Sequence, residues 1–160
     1  MKRRTFLTFS TAAMLLSLFA LAAFAEVDID QHRDCKHCGM DRKAFGYSRM
    51  LVEYKDGRQV GTCSLHCVVT ELNSSKGGGA ISFKVADRNT RQLIDAERAV
   101  WVIGGKKRGV MTMRAKWAFA KNDAAQNFID AYGGKIASWS EALAAAREDA
   151  VPKPRKGAEM

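Results

Sequence analysis

Short apolar stretches alternate with polar turns along the chain, and twice their spacing changes from that of strands to that of helices. Strand formers fill residues 47–54 and 58–62 on either side of an Asp56-Gly57 turn, which predicts an antiparallel hairpin. Apolar side chains then recur at helical spacing behind Ser64, a residue type that caps helices. These helical positions are Leu65, Val68, Val69 and Leu72, and the helix is expected to end near Asn73.

A second unit repeats this layout from residue 81 onward. Residues 81–86 and 99–103 have the alternation of strands, and residues 109–113 are expected to pair back after a Gly104-Gly105 turn. A helix follows that is capped by Asn122 or Asp123 and ends at Gly133-Gly134.

The fold class that these patterns predict is α+β. It consists of two small ββα-type units with antiparallel strands packed on helices, followed by a last helix behind the capping box Ser138-Trp-Ser-Glu141. The large side chains expected in the core are Trp101, Phe119, Phe128 and Trp139.

The first 25 residues have the pattern of an export signal. A positive start at residues 2–4 precedes an apolar stretch over residues 11–24, and Ala23-Phe24-Ala25 is a small-x-small cleavage site. The start reads Arg3-Arg4-Thr5-Phe6-Leu7, which is similar to a twin-arginine signal, with the general secretory route as the alternative. We therefore expect a periplasmic protein, without a cysteine at the cleavage site to accept lipid.

The remaining chain is predicted to hold one domain. Residues 26–34 are expected to be a flexible leader, residues 35–150 a metal-binding domain, and residues 151–160 a disordered basic tail. No other apolar stretch approaches the roughly 20 residues that span a bilayer. With 160 residues and 47% hydrophobic residues, the chain is long enough to bury a core.

The formal net charge of +9 gives information about binding partners and little about the fold. The signal contains three of the 26 basic residues and none of the 17 acidic ones, so +6 remains after cleavage. Because an exported protein seldom meets nucleic acid, this charge favours solubility and attraction to acidic partners or anionic lipid.

All four cysteines lie in two short motifs on either side of the predicted hairpin. The first reads Cys35-Lys-His-Cys38-Gly-Met40 and the second Cys63-Ser-Leu-His66-Cys67. A hairpin of this length brings the second pair back beside the first, which is the order of elements in treble-clef zinc sites. The alternatives are a structural zinc ion, two disulfides in an oxidising compartment, and a thioredoxin-like redox pair.

Met40 shifts the interpretation from zinc towards copper. A thioether adds nothing to a zinc site or a disulfide, whereas it is a preferred ligand of cuprous ion. Three further residues are candidate ligands with a weaker basis, because each has an ordinary explanation as packing or as an exposed side chain. They are His66, Met111 and Met113.

The chain resembles the NosL-type accessory proteins of nitrous oxide reductase. The resemblance lies in the Cys35–Met40 motif, in Trp101-Val-Ile-Gly-Gly with the 109–119 stretch after it, and in the helix that carries Phe128. It implies a periplasmic protein that binds one cuprous ion and passes it to a maturing copper enzyme through a membrane assembly system. The implied fold is two ββα-type units, similar to a domain of organomercurial lyase.

The resemblance implies copper ligands at Cys38 and Met40, and also at Cys35. The second cysteine pair, Cys63 with Cys67, is unlike the better-known members and is similar to the YHS and TRASH heavy-metal modules. Members of the family are usually lipoproteins, and this chain has no lipid-accepting cysteine.

The function predicted from the sequence is that of a copper(I) metallochaperone without catalytic turnover. One alternative is an interaction module that zinc only stabilises. The other is an organomercurial-lyase-like enzyme, which needs two cysteines and a carboxylic acid that protonates the leaving carbon. Asp34 and Asp41 flank the first motif and are the candidates for that acid.

Overall fold

The computed structural model describes residues 27–74 and 79–151. The predicted signal, the loop residues 75–78 and most of the predicted tail lie outside the described residues. The helices are α1 (Val27–Gln31), α2 (Leu65–Ser74), α3 (Asn122–Tyr132) and α4 (Trp139–Ala150). The strands are β1 (Met50–Tyr54), β2 (Gln59–Thr62), β3 (Ala80–Ala86), β4 (Leu93–Asp95), β5 (Val100–Ile103), β6 (Lys116–Phe119) and β7 (Lys135–Ala137).

The strands form two antiparallel sheets, so the predicted α+β class is confirmed. The larger sheet has the order β2-β1-β3-β4, and the smaller has the order β6-β5-β7. In the larger sheet β1 pairs with β2 through Val52 and Val60, as the predicted hairpin requires. Helices α3 and α4 follow β6 in the chain. The short strand β7, which belongs to the smaller sheet, lies between these two helices.

The assignment of β3 to the second unit is wrong. This strand pairs with β1, placing Val52 opposite Phe83, and therefore belongs to the larger sheet. A hairpin of two strands is only marginally stable alone, so β1 gains from a partner on its second edge. Which later strand takes that edge is decided by packing and cannot be read from local spacing.

The prediction of a strand over residues 109–113 is also wrong. The partner of β5 is β6, which pairs Val102 with Trp117. Residues 104–115 form a loop between the two strands, which we call the cap loop. This loop folds tightly: Met111 has φ of 60°, and a Cβ on Gly109 would lie 2.8 Å from the Cα of Ala115.

The helix ends follow the sequence signals in part. The capping box at the start of α4 is present, and Gly133 ends α3 with φ of 74°. The predicted cap of α3 by Asn122 or Asp123 is wrong, because Lys121 holds the N-cap position and makes no side-chain capping hydrogen bond.

The main core fills the space between the larger sheet, α2 and α4. It also includes Trp101, which is 1% exposed and stacks against Trp139 with ring centroids 5.6 Å apart. A second cluster lies beneath α3 and contains Phe119 and Phe128. These four aromatic residues are the predicted core members. Among the described helices, none has the length and apolar character needed to cross a bilayer.

Candidate metal centre

The first cysteine pair lies on a tight turn between α1 and β1. The amide of Cys35 donates to the carbonyl of Met40, and the amide of Gly39 donates back to the carbonyl of Cys35, both at 2.9 Å. Gly39 has φ of 71°, a conformation that glycine adopts without a Cβ penalty. The amide of Lys36 donates to the carbonyl of Gly61 in β2 at 3.1 Å, so this turn is fastened to the hairpin.

The second cysteine pair brackets the start of α2. Cys63 follows β2 directly, and Cys67 lies in the first turn of the helix, where the carbonyl of Ser64 accepts from its amide at 3.1 Å. The positive end of the helix dipole favours thiolate at these positions. The predicted order of turn, hairpin and helix start is therefore what brings the two pairs together.

The four cysteine sulfurs all lie within 4.8 Å of one another. The Sγ atom of Cys63 is 3.5 Å from that of Cys38 and 3.7 Å from that of Cys67. Sulfurs about 2.3 Å from a tetrahedral ion are roughly 3.8 Å apart. The cluster therefore closes around a single ion with only small adjustments.

The cysteines are free thiols in the structure. A disulfide requires sulfurs about 2.05 Å apart, well below the separations in this cluster. Structural disulfides would therefore require the sulfurs to move closer together than they are in this arrangement.

The thiols of the cluster interact strongly with one another. Hydrogen bonds from the thiols of Cys63 and Cys67 lower the pKa of Cys35, and burial opposes this effect only in part. The Cys35 thiolate in turn raises the pKa of Cys63 to about 12 and also raises that of Cys67. The cluster by itself thus favours one thiolate, and a bound cation would favour releasing the remaining protons.

Most of the sulfur cluster is buried, and an apolar side chain packs against it. Cys35, Cys63 and Cys67 are at most 3% exposed, while Cys38 is half-buried. Val110 from the cap loop is buried against them.

Met40 is half-buried and packs against this cluster, together with Phe45 and Tyr47. The structure therefore brings Met40 into contact with the cysteine cluster.

The three weaker candidates lie outside the group of four sulfurs. His66 is half-buried on α2, and its Nδ1 atom is buried without a hydrogen-bond partner among the described residues. Met111 and Met113 are 45% and 74% exposed, and they line an open cavity of about 590 Å³ beside Asp149.

A buried carboxylate on α2 connects the cysteine turn to the hairpin. Glu71 is 5% exposed, and its Oε2 atom lies 2.7 Å from Nε2 of His37. The hydroxyl of Tyr54 donates to the other oxygen at 2.6 Å, and Arg58 lies 3.3 Å from it. Burial acts to raise the pKa of Glu71, but these hydrogen bonds outweigh it and lower the pKa. His37 is therefore engaged away from the sulfurs.

A buried ion cluster that the sequence does not predict lies behind the metal centre. Asp28 on α1 lies 2.8 Å from Arg42 and 2.9 Å from Arg49, and both arginines are at most 1% exposed. The Nε atom of Arg42 also donates to the carbonyl of Thr62, the residue before Cys63. No local pattern identifies these partners, because they are far apart in sequence.

The predicted flexible leader over residues 26–34 differs from the structure. Residues 27–31 form α1, and Asp28 and Ile29 are both buried. The two buried arginines provide the reason, since they require a countercharge in the interior.

The structure does not favour Asp41 as a proton donor beside the first motif. The carboxylate of Asp41 accepts from Arg33 at 2.8 Å and from two backbone amides, and these hydrogen bonds lower its pKa. Asp34 is exposed to solvent. The arrangement therefore does not favour the organomercurial-lyase-like alternative.

Comparisons with known proteins agree with the fold. A family model described as NosL matches residues 26–146. The crystal structure of the copper chaperone NosL from Shewanella denitrificans is similar with a TM-score of 0.55 and 21% identity, over 68% of this chain and 87% of that chain. This likeness supports the fold. Comparison with curated proteins gives no significant match.

Neither match is to an enzyme, in agreement with the prediction of a protein without catalytic turnover. The family model covers most of the chain and includes the cysteine turn, the hairpin and both sheets. The chain belongs to the NosL family.

Proposed function

We propose that this protein binds one copper(I) ion at its four-cysteine cluster and delivers it in the periplasm to a maturing copper enzyme such as nitrous oxide reductase. The observation that carries the proposal is the convergence of four sulfur atoms within 4.8 Å, three of them almost completely buried. Membership of the NosL family supports the choice of copper, since a relative of the same fold is a copper chaperone.

The chemistry of the donors supports a soft ion. Thiolate and thioether sulfur are the ligands that cuprous ion prefers, and the site contains no carboxylate within its group of close ligand atoms. Met40 packs against the cluster and adds the thioether that a zinc site would not need. A closed site of four thiolates would also suit zinc, which makes the zinc-stabilised module the alternative to test.

The proposed mechanism is ligand exchange at the accessible side of the cluster. Cuprous ion takes two to four ligands, so four cysteines and Met40 offer more sulfur than it requires. An incoming donor can therefore bind before a cysteine leaves. Cys38 is the least buried of the four cysteines and is the sulfur that we expect to be exchanged first.

The residues around the cluster would help the protein to retain the ion until a recipient protein binds. Val110, Phe45 and Tyr47 pack against the cluster, and Cys35, Cys63 and Cys67 are almost completely buried. Behind the site, Arg42 places a buried positive charge beside the carbonyl that precedes Cys63. This charge offsets part of the negative charge that several thiolates carry.

The periplasmic location and the delivery step rest on the sequence. The first 25 residues have the pattern of an export signal, and its twin arginines would allow export of the folded protein. A recipient enzyme, or the membrane system that assembles it, is the partner implied by the resemblance to NosL-type proteins.

The choice of metal can be tested with protein purified anaerobically with reduced thiols. Titration against a competing copper(I) chelator is expected to show one tightly bound ion, and copper(I) is expected to displace any zinc. Stoichiometric zinc that excess copper(I) leaves in place would refute the copper carrier and favour the zinc-stabilised module.

The role of the thioether can be tested with Met40→Leu, which keeps the apolar volume and removes the sulfur. We expect copper(I) affinity to fall at least about tenfold, the lower limit for losing a supporting metal contact. Phe45→Leu is the matched control, because Phe45 packs against the same cluster without offering a ligand. Equal affinities in the two variants would reduce Met40 to a packing residue.

Delivery can be tested in cells that lack the gene for this protein. Nitrous oxide reductase from such cells is expected to contain less copper, and the intact gene should restore it while a Cys38→Ser variant should not. Fully loaded reductase in the deletion strain would contradict this recipient.

A further inference from the structure

The cap loop connects the metal cluster to a cationic surface. Val110 is 8% exposed and packs against the buried cysteines. Two to four residues earlier in the same loop, Lys106, Lys107 and Arg108 are all exposed. None of these three side chains forms an ion pair with a carboxylate of residues 27–74 or 79–151. Their positive charge is therefore available to a partner.

Contacts at the base of the cap loop hold the cations in place. The amide of Lys106 donates to the carbonyl of Tyr132 at 2.7 Å, and the ammonium of Lys107 lies 4.5 Å from the centre of the Tyr132 ring. Gly105 approaches the end of α3 so closely that a Cβ would lie 2.6 Å from the carbonyl oxygen of Gly133. These contacts fix the start of the cap loop against the end of α3.

The far side of the cap loop is fastened to α4. The hydroxyl of Thr112 donates to Asp149 at 2.9 Å, and Arg114 lies 2.8 Å from the same carboxylate. Lys116, at the start of β6, also donates to Asp149. The loop is thus fixed at both ends, and the three cations lie on the same fixed segment as Val110, which packs against the cysteines.

Exposed apolar side chains accompany the cations. Met111 and Met113 are 45% and 74% exposed, and Arg108 donates to the sulfur of Met113 at 3.4 Å. Methionine and arginine are both enriched in protein interfaces. Exposed Arg33 and Arg58 lie in ion pairs with Asp41 and Asp56, whereas Lys106, Lys107 and Arg108 are three consecutive exposed cations without a carboxylate partner among the described residues.

We propose that Lys106, Lys107 and Arg108 form a docking surface for an acidic protein, one whose copper-receiving site is bordered by carboxylates. This inference rests on the proposed function, because it assigns the partner of the same site. The position of the loop favours a copper acceptor, because the segment with the three cations also contains Val110, which packs against the cysteines. Such complementary charge accelerates association about 10-fold to 10³-fold at low salt.

The experiment measures copper(I) transfer from the loaded protein to two synthetic peptides with the same Cys-x-x-Cys acceptor. Glutamates flank the acceptor in one peptide and glutamines in the other. We expect about tenfold faster transfer to the glutamate peptide at low salt. The advantage should vanish near 1 M salt, where the Debye length is about 3 Å.

Two triple variants locate the effect. Reversal of all three cap-loop cations to glutamate should remove the advantage of the glutamate peptide and leave copper(I) affinity unchanged. The matched control reverses three exposed cations elsewhere and changes the net charge equally, so it should retain most of the advantage. These control positions are Lys55, Arg98 and Lys121.

The outcomes separate the two proposals. A protein that does not load with copper(I) refutes the proposed function. A protein that loads but supplies both peptides at the same rate overturns only the docking surface, as does an equal effect of the two triple variants. If cap-loop reversal abolished binding to phosphatidylglycerol vesicles without changing transfer, the surface would be a membrane site and the proposal would fail.

Discussion

Replacing Asp28 by asparagine tests how strongly the buried ion cluster stabilises the fold around the metal centre. The aspartate accepts from Arg42 at 2.8 Å and from two nitrogens of Arg49 at 2.9 Å. Asparagine keeps the shape of the side chain but removes its charge. Two guanidinium groups, 0% and 1% exposed, would then lose the negative charge of Asp28.

The expected loss is about 3–5 kcal/mol, which is typical when one partner of a buried ion pair is removed. Each hydrogen bond to a charged group contributes about 1.5–3 kcal/mol, and the three bonds of Asp28 are not additive because they share one carboxylate. Since small domains unfold at about 5–15 kcal/mol, this loss is a large part of the total.

Urea unfolding of the reduced, metal-free protein, followed by tryptophan fluorescence, measures the loss. Asp30→Asn is the matched control, because Asp30 is on the same helix and is exposed. This control should change the free energy of unfolding by less than about 0.5 kcal/mol. If Asp28→Asn were equally mild, the ion cluster would not stabilise the fold as argued.

Acidification should lower the free energy of unfolding of the unsubstituted protein in the same way, because it neutralises the carboxylate of Asp28. Burial acts to raise the pKa of Asp28, but hydrogen bonds and charge from Arg49 and Arg42 outweigh it, so the pKa lies below its ordinary value. A carboxyl with a lowered pKa in the folded state stabilises the protein above its unfolded pKa, about 3.9. This stabilisation is lost as the pH falls through the folded pKa, and Asp28→Asn should remove that part of the pH dependence.

Three further predictions concern single positions. Gly61→Ala should destabilise the protein by about 1–3 kcal/mol, because the added Cβ would lie 2.5 Å from the Cβ of His32. An unchanged midpoint of urea unfolding would contradict this. Ser138→Ala should cost about 1 kcal/mol by removing a capping box, whereas Asn122→Ala should cost little, since α3 has no side-chain cap; equal losses would refute the assignment. In an NMR titration the carboxyl of Asp149, whose pKa is lowered to about 2, should titrate well below ordinary aspartates, and Lys116→Met should raise its pKa.

Much of the metal centre could be predicted from the sequence, because its geometry is largely local. Two cysteines within one turn, a hairpin of fixed length and two cysteines at a helix start leave few ways to arrange four sulfurs. Met40 follows from the same turn, whose backbone hydrogen bonds keep it beside Cys35. The weaker candidates could not be placed in this way, since Met111 and Met113 are on a loop whose path depends on distant contacts.

The strand pairing was less predictable. Periodicity located β3 and β5, but it does not indicate which edge a strand joins, and β3 pairs with β1 instead of a strand of the second unit. Strand β7 has three residues and two exposed side chains, so its sequence has no apolar alternation to recognise. Both strand pairings of the smaller sheet involve β5, which pairs with β6 on one edge and with β7 on the other.

The sequence by itself determined the class of the fold, the sulfur motifs and the family resemblance, because each depends on residues close together in the chain. The tertiary structure decided what surrounds the site. It buried Asp28 against Arg42 and Arg49, packed Val110 against the cysteines and fastened the cap loop to α3 and α4. These contacts join residues far apart in sequence, so the packing of the whole domain decides whether they form.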